Sequence, residues 1–94
     1  MVVLNVTYKC FPSKREEFLA KIKAEGIDAS SRLEAGNEKY EYYFSESDPD
    51  VLLLIEKWKG MDAIAEHKET GHFARLGELK AEYVEDTVIE RFEV

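Results

Sequence analysis

Apolar and polar residues alternate along the first ten positions of the chain, with Val2, Leu4, Val6, Tyr8 and Cys10 on one face. A period of two predicts a β-strand over Val2–Cys10 with one buried face. Ser13 and Glu16 have the spacing of a capping box, which predicts a helix beginning there. Apolar residues then recur at roughly helical spacing as far as Leu33, and Gly26 predicts a bend within that helix.

The middle of the chain predicts a β-hairpin. Residues Glu38–Glu46 alternate, so that Tyr40, Tyr42 and Phe44 share a face. Ser47–Asp50 has the composition of a turn. Val51–Lys59 follows and is apolar on both faces, so we expect both of its faces to be covered.

The last third of the chain predicts two helices and a final strand. Gly60 breaks the third strand, and Asp62 is expected to cap a short helix that carries Ala63, Ile64 and His67. Thr70 is expected to cap a second helix, whose inward face is predicted to hold Phe73, Leu76, Leu79 and Ala81. The final strand is predicted over Tyr83–Val94, with Val84, Val88, Phe92 and Val94 on one face.

This order of elements, β-α-β-β-α-β, predicts an α+β fold of the ferredoxin-like, split βαβ type. It has an antiparallel four-stranded sheet with helices on one side. Residues 1–94 then form one domain. The helices can cover one sheet face only, yet the strands offer apolar side chains to both. We therefore expect a homodimer in which two sheets face each other.

Composition and charge limit the classes of partner that we expect this protein to bind. The 94 residues carry a formal net charge of −7, which disfavours nucleic acid and anionic membrane surfaces. No apolar run is long enough to span a bilayer, and the first residues lack a signal-peptide pattern. Cys10 is the single cysteine, so no disulfide can form within the chain. We expect a cytoplasmic protein without membrane contact.

Common cofactor and metal motifs are missing from the sequence. It has no G-x-G-x-x-G, no Walker loop, no H-E-x-x-H and no C-x-x-C pair. We therefore expect no metal site with recognisable spacing. An enzyme of this sequence would use general acid–base groups in a shaped pocket, or a cofactor that leaves no motif.

His67 and His72 are the only histidines, and either could exchange a proton near neutral pH. On one continuous helix they would point about 140° apart. A break at Thr70-Gly71 gives them room to converge. The structural alternative is that His67 is a helix C-terminal residue favoured by the dipole, and that His72 is a partly buried residue of a first helical turn.

Four further residues are candidates, each with a structural alternative. Asn5 lies mid-strand, where it is either a hydrogen-bonding group of a pocket or a satisfied polar residue. Trp58 is a pocket wall or a packing anchor, and Tyr83 contacts a ligand or begins a strand. Glu56 is a base with a raised pKa or the partner of a lysine or arginine.

Together these segments resemble the antibiotic biosynthesis monooxygenase domain family over essentially the whole chain. The resemblance is carried by Asn5, Arg15–Phe18, Glu34–Asn37 with Tyr40, Glu56–Trp58 and Ala63–Phe73. It implies a dimeric α+β barrel of ferredoxin-like subunits, each with a pocket between its sheet and its helices.

The resemblance also implies a chemistry, because related members oxidise quinols or polyphenols with dioxygen and need no metal, flavin or haem. By position, Asn5 would contact a substrate oxygen and Trp58 would be a wall. His67 or His72 would handle the proton. Tyr83 and Phe73 complete the expected substrate contacts.

Other branches of the family give the alternatives. Haem-degrading members need a tryptophan and an axial histidine where this chain has His67 and Gly77, so we expect no haem. A phosphosugar isomerase would need Lys68, Arg32 or Arg75 to face the pocket, with an enolisable substrate. A non-enzymatic dimer would hold a small aromatic ligand without converting it.

Overall fold

The computed structural model describes all 94 residues as a four-stranded antiparallel sheet with four helices packed against one face. The strands are β1 (Val2–Cys10), β2 (Asn37–Phe44), β3 (Val51–Trp58) and β4 (Val84–Glu93). The helices are α1 (Arg15–Ala24), α2 (Ile27–Arg32), α3 (Met61–Lys68) and α4 (Gly71–Tyr83). The strand order is β2-β3-β1-β4, which confirms the predicted α+β, ferredoxin-like arrangement. None of the helices has the length and apolarity to cross a membrane.

The core lies between the helices and one face of the sheet. Strand residues of even number in β1 and β3 are buried there, among them Val6, Leu52, Leu54 and Trp58. Phe18 and Ile22 of α1 and Leu76 and Leu79 of α4 pack against them. Burial of such side chains is the main favourable contribution to folding, at about 1.5–3 kcal/mol each.

The opposite face of the sheet is left open by this chain. Pairing across the strands brings Asn5 beside Ile55, and Thr7 between Leu53 and Val88. Leu53 and Ile55 are only half-buried, and Phe92 remains 47% exposed. Within one chain β3 is covered on one face only, because all the helices lie on that side, and the covering of its other face by a second copy stays a prediction.

Gly26 separates α1 from α2, which confirms the predicted bend. Its φ of +68° is a left-handed conformation that glycine adopts without steric cost. The predicted capping box is wrong. Ser13 has a φ of +67°, its backbone N–H donates to Asp50 Oδ1, and α1 begins two residues later without a side-chain cap. Leu33 lies beyond the end of α2 and is 86% exposed rather than inward-facing.

Helix starts and the last strand also differ from the sequence pattern. α3 begins at Met61 with Gly60 at its N-cap, so Asp62 lies in the first turn instead of capping it. Ala81 is exposed rather than inward-facing. Tyr83 is the last residue of α4, and a bulge in the β1–β4 pairing places Val84 opposite Cys10. The bulge turns Val84 towards the helices, away from the face that Val88 shares.

Candidate functional site

One carboxylate oxygen joins the two histidines. Oε2 of Glu34 lies 2.6 Å from Nδ1 of His67 and 2.8 Å from Nε2 of His72. The ring centroids of the histidines are 5.7 Å apart, although His67 belongs to the last turn of α3 and His72 to the first turn of α4. The break between the helices therefore does let the two rings converge.

Local structure explains the convergence. The Thr70 hydroxyl donates to the His67 carbonyl oxygen at 2.7 Å and accepts from the Phe73 N–H at 3.2 Å. This confirms the predicted cap and fixes the turn between α3 and α4. On the other side, Gly36 touches α3 so closely that a Cβ there would overlap Cβ of Ala63. The close approach brings α3 against the loop that carries Glu34.

His67 is buried in an aromatic environment, with 3% of its surface exposed. The centroids of Trp58, Phe73 and Tyr40 lie 4.7, 5.2 and 5.9 Å from its ring. Burial lowers the pKa of His67, and the Glu34 carboxylate opposes that shift. Since a carboxylate accepts hydrogen bonds, Nδ1 carries the proton of the neutral ring and Nε2 carries a lone pair.

A cavity of about 110 Å³ lies between the sheet and the helices α3 and α4. Most of its wall is apolar, and His67, Glu56, Lys68 and Lys80 are its titratable side chains apart from two tyrosines. The full lining is Leu4, Val6, Tyr8, Tyr40, Glu56, Ile64, His67, Lys68, Phe73, Leu76, Gly77, Lys80 and Ile89. An apolar hollow with a few convergent polar groups is the usual form of a small-molecule site.

Glu56 is a carboxylate inside this cavity. It accepts a hydrogen bond from Nε1 of Trp58 at 2.9 Å, and burial raises the pKa of Glu56. A raised pKa favours the neutral, protonated acid, which can donate as well as accept.

The sequence-predicted residues divide between this site and the rest of the fold. His67 and Phe73 line the cavity. Trp58 is fully buried and contacts the His67 ring and Glu56 instead of forming the wall itself. His72 is connected to the site through Glu34.

Asn5 and Tyr83 lie elsewhere, which corrects their expected placement. Asn5 is at an odd position of β1 and shares the open sheet face with Val3 and Thr7, because successive strand residues point to opposite faces. Tyr83 packs in the core with its ring 5.8 Å from that of Phe18. Neither side chain lines the cavity.

Glu34 and Lys80 are the site residues that the sequence pattern did not select. Glu34 lies in the connection between α2 and β2, where no periodicity marks it. Lys80 has the appearance of an ordinary polar position on an amphipathic helix. For Glu34, the available signals are its place in the Glu34–Asn37 segment of the family resemblance and its position two residues before Gly36, the glycine that lets α3 approach.

Glu34, His67 and His72 are also the side chains that could hold a metal ion, with one ligand atom each inside 4.8 Å. Two histidines and a carboxylate suit a divalent transition metal. Ligands on one such ion would lie roughly 3 Å or more apart, given bond lengths of about 2 Å. The separations of 2.6 and 2.8 Å are instead those of charge-assisted hydrogen bonds.

This fold and this site define a class of protein. Its members are small α+β proteins with an apolar cavity that is bordered by a histidine hydrogen-bonded to a carboxylate. The chain belongs to the antibiotic biosynthesis monooxygenase family, whose profile matches residues 1–79. This confirms the family resemblance seen in the sequence.

Relatives of known description agree with this membership. YcnE of Bacillus subtilis, provisionally assigned as a monooxygenase, is 38% identical over 73 residues, covering 78% of this chain and 75% of YcnE. A provisionally assigned antibiotic biosynthesis monooxygenase from Nitrosomonas europaea has a TM-score of 0.88 and 26% identity. The match covers 100% of this chain and 98% of the Nitrosomonas chain. A Bacteroides thetaiotaomicron protein, described as a possible oxidoreductase, has a TM-score of 0.87 and 29% identity, with coverage of 99% and 96%. These relatives support a monooxygenase-like role.

Proposed function

We propose that this protein is a monooxygenase that oxidises a quinol-like or polyphenolic aromatic with dioxygen, using electrons from the substrate and no separate cofactor. The observation that carries the proposal is His67, which borders an apolar cavity while Glu34 holds its Nδ1–H. That arrangement leaves Nε2 able to accept a proton from a phenolic hydroxyl. Membership of the family supports the same reaction class.

The reaction balances with one quinol and one dioxygen as reactants. Nε2 of His67 takes the hydroxyl proton, and the resulting phenolate supplies electrons to dioxygen. A carbon–oxygen bond forms on the ring and the oxygen–oxygen bond then breaks. One oxygen remains on the product, a hydroxyquinone, and the other leaves as water with two hydrogens from the quinol.

The surroundings of His67 assist these steps. The imidazolium formed by proton uptake is stabilised by the Glu34 carboxylate at 2.6 Å. Lys68 and Lys80 line the same cavity and stabilise the phenolate. The apolar wall excludes water from the reactive anion.

The volume of the cavity limits the substrate. A cavity of about 150 Å³ lined by apolar side chains accommodates benzene, whereas drug-sized ligands occupy about 300–1,000 Å³. The 110 Å³ found here suits part or all of a single aromatic ring. The proposal therefore favours single-ring quinols, or larger molecules that insert one ring.

An isomerase acting on an enolisable phosphorylated substrate is the second candidate, and one observation favours it. Lys68 faces the cavity, as that reaction requires. Arg32 does not, because it binds Asp28 and the Tyr40 carbonyl oxygen. Arg75 is engaged by Glu25 and Glu78.

The homodimer is also proposed here, on the basis of the open sheet face. Val88 and Phe92 are about half exposed on that face, beside the half-buried Leu53 and Ile55. A second copy of the same sheet is self-complementary by symmetry and would remove these side chains from water.

Oxygen consumption with a panel of single-ring quinols tests the proposed reaction. We expect turnover by the wild type and a loss of about 10²–10⁴-fold in His67→Ala, the usual contribution of a general base. Ser30→Ala serves as a control, because Ser30 lies on α2 away from the cavity. Circular dichroism checks that each variant is folded.

Three results would contradict the monooxygenase. The first is equal oxygen consumption by wild type and His67→Ala. The second is thermal stabilisation by quinols with no product by mass spectrometry, which identifies a binding protein instead. The third is isomerisation of a phosphosugar without oxygen uptake.

A further inference from the structure

The cavity and an adjoining surface groove share part of their lining, here called the mouth, and three cationic side chains line one or both of them. Lys68 and Lys80 line the cavity itself. Arg91 lines an adjoining surface groove of about 470 Å³ that shares Leu4, Ile64, Lys68 and Ile89 with the cavity. A molecule with one ring in the cavity can therefore extend into the groove, where Lys68 and Arg91 lie within the same lining.

These three cations form no ion pair with a carboxylate of the chain. Six of the other ten lysines and arginines bind an aspartate or glutamate, among them Lys9, Lys23 and Arg75, and four do not. Two of the three mouth residues lie near uncharged groups. Lys80 Nζ lies 5.5 Å from the Tyr8 ring centroid, and Arg91 Nη1 lies 4.0 Å from the Met61 sulfur. Three unpaired cations at one opening contrast with the net charge of −7 on the whole chain.

The only carboxylate in either lining is Glu56, and it is a weak competitor for these cations. Burial raises the pKa of Glu56, although Lys68 and Lys80 oppose that shift through their charges. An incoming anion at the mouth would stay closer to solvent than Glu56 and would face no other acidic side chain there.

We propose that the substrate is an aromatic that carries an anionic substituent. Its ring occupies the cavity beside His67, and its carboxylate or phosphate lies at the mouth between Lys68, Lys80 and Arg91. Lys68 and Arg91 line the same groove, so their like charges repel each other, and an anion between them relieves that repulsion. The turnover of such a substrate rests on the proposed function, whereas its binding does not.

Binding measurements with matched acids and amides test the charge preference separately from catalysis. Calorimetry compares the affinity for gentisate, a dihydroxybenzoate, with the affinity for its neutral amide. The first measurements use about 50 mM salt, where charges are screened weakly, and later ones use more salt. We expect the acid to bind the wild type about fivefold or more tightly than the amide, with the difference falling as salt is added. A parallel comparison of phenyl phosphate with phenol tests the preference for a phosphate. Of gentisate and phenyl phosphate, the anion that binds more tightly identifies the group that the mouth accepts.

Neutral variants locate the preference. Lys68→Gln and Arg91→Gln are each expected to reduce the acid-to-amide affinity ratio about three- to fivefold, because each removes one positive charge from the mouth. Lys21→Gln is the matched control, because Lys21 lies on α1, outside both linings, and has no ion-pair partner. Its ratio should equal that of the wild type.

The proposal is overturned if acid and amide bind equally, or if Lys21→Gln lowers the ratio as much as Lys68→Gln does. A charge preference that persists in His67→Ala, with no oxygen uptake by the wild type, supports the anion site while contradicting the monooxygenase. Turnover of neutral quinols at the same rate as anionic ones, together with equal binding, supports the monooxygenase and overturns the anion site.

Discussion

The reactivity of His67 depends on two opposing influences on one ring. Removal from water lowers the pKa of His67, because it disfavours the imidazolium, and Glu34 raises it through a hydrogen bond and its charge. The other charged or titratable groups facing the ring are His72, Lys68 and, across the cavity, Glu56. A ring whose pKa lies below its usual range is neutral at pH 7 and can accept a proton.

Substitution of the two partners should move the pKa of His67 in opposite directions. In Glu34→Gln the carboxylate that raises this pKa is gone, so the pKa should fall further. In His72→Gln the imidazole that lowers this pKa is gone, so the pKa of His67 should rise. Titration of the His67 imidazole Cε1 proton by NMR measures both shifts without any substrate. Shifts of the same sign in the two variants would contradict the shared-carboxylate geometry.

The pH–rate profile should follow the same order. Protonated His67 cannot accept the substrate proton, so turnover falls as the pH drops through the His67 pKa. Glu34→Gln should therefore keep its activity to lower pH than the wild type, at a reduced maximal rate. In His72→Gln the pKa of His67 should be higher. As the pH is lowered, this variant should therefore lose activity at a higher pH than the wild type does.

At the scale of elements, the contact between α3 and the loop after α2 positions the site. Gly36 lies against Ala63, and the neighbouring Glu34 then reaches His67, which lies about one turn further along α3. The placement of α3 and the distance from Glu34 to His67 are thus coupled through one glycine.

Gly36→Ala tests that coupling. The added methyl group must displace α3 or the loop, so we expect a loss of about 1–3 kcal/mol in the free energy of unfolding. We also expect loss of the downfield NMR signal of the His67 Nδ1 proton, because the distance to Glu34 increases. Gly71→Ala is the control, since a Cβ there meets nothing within 4 Å. Unchanged stability in Gly36→Ala, by urea titration, would show that the contact is not required.

The helices and strands also show which local sequence signals were sufficient to predict the structure. Gly26 and Thr70 act through their own backbone or hydroxyl, and both behave as their sequence context predicts. Ser13 fails as a cap because Asp50, which is distant in sequence, engages its backbone N–H. Val84 changes face because of a bulge in strand pairing, which no single-strand pattern contains.

At the scale of the whole molecule, the open sheet face predicts self-association. Leu53→Asp places a charge at the centre of that face, beside Thr7 and Tyr43. We expect a dimer for the wild type and a monomer for Leu53→Asp by light scattering, because burial of an unpaired charge costs several kcal/mol. Leu33→Asp makes the same change at an exposed residue away from the sheet and should remain dimeric. A monomeric wild type at micromolar concentration would contradict the dimer.

The sequence by itself determined the order of elements, the face of β1 that is buried, and the segment from Glu56 to Phe73 that holds much of the site. Those features depend on periodicity and local capping, which are properties of neighbouring residues. The tertiary structure alone decided that Glu34 joins both histidines, that Asn5 faces away from the cavity and that Lys68 lines both the cavity and the groove that holds Arg91. Each of these depends on how close separate elements approach and on strand register, and both are set by the packing of the complete chain.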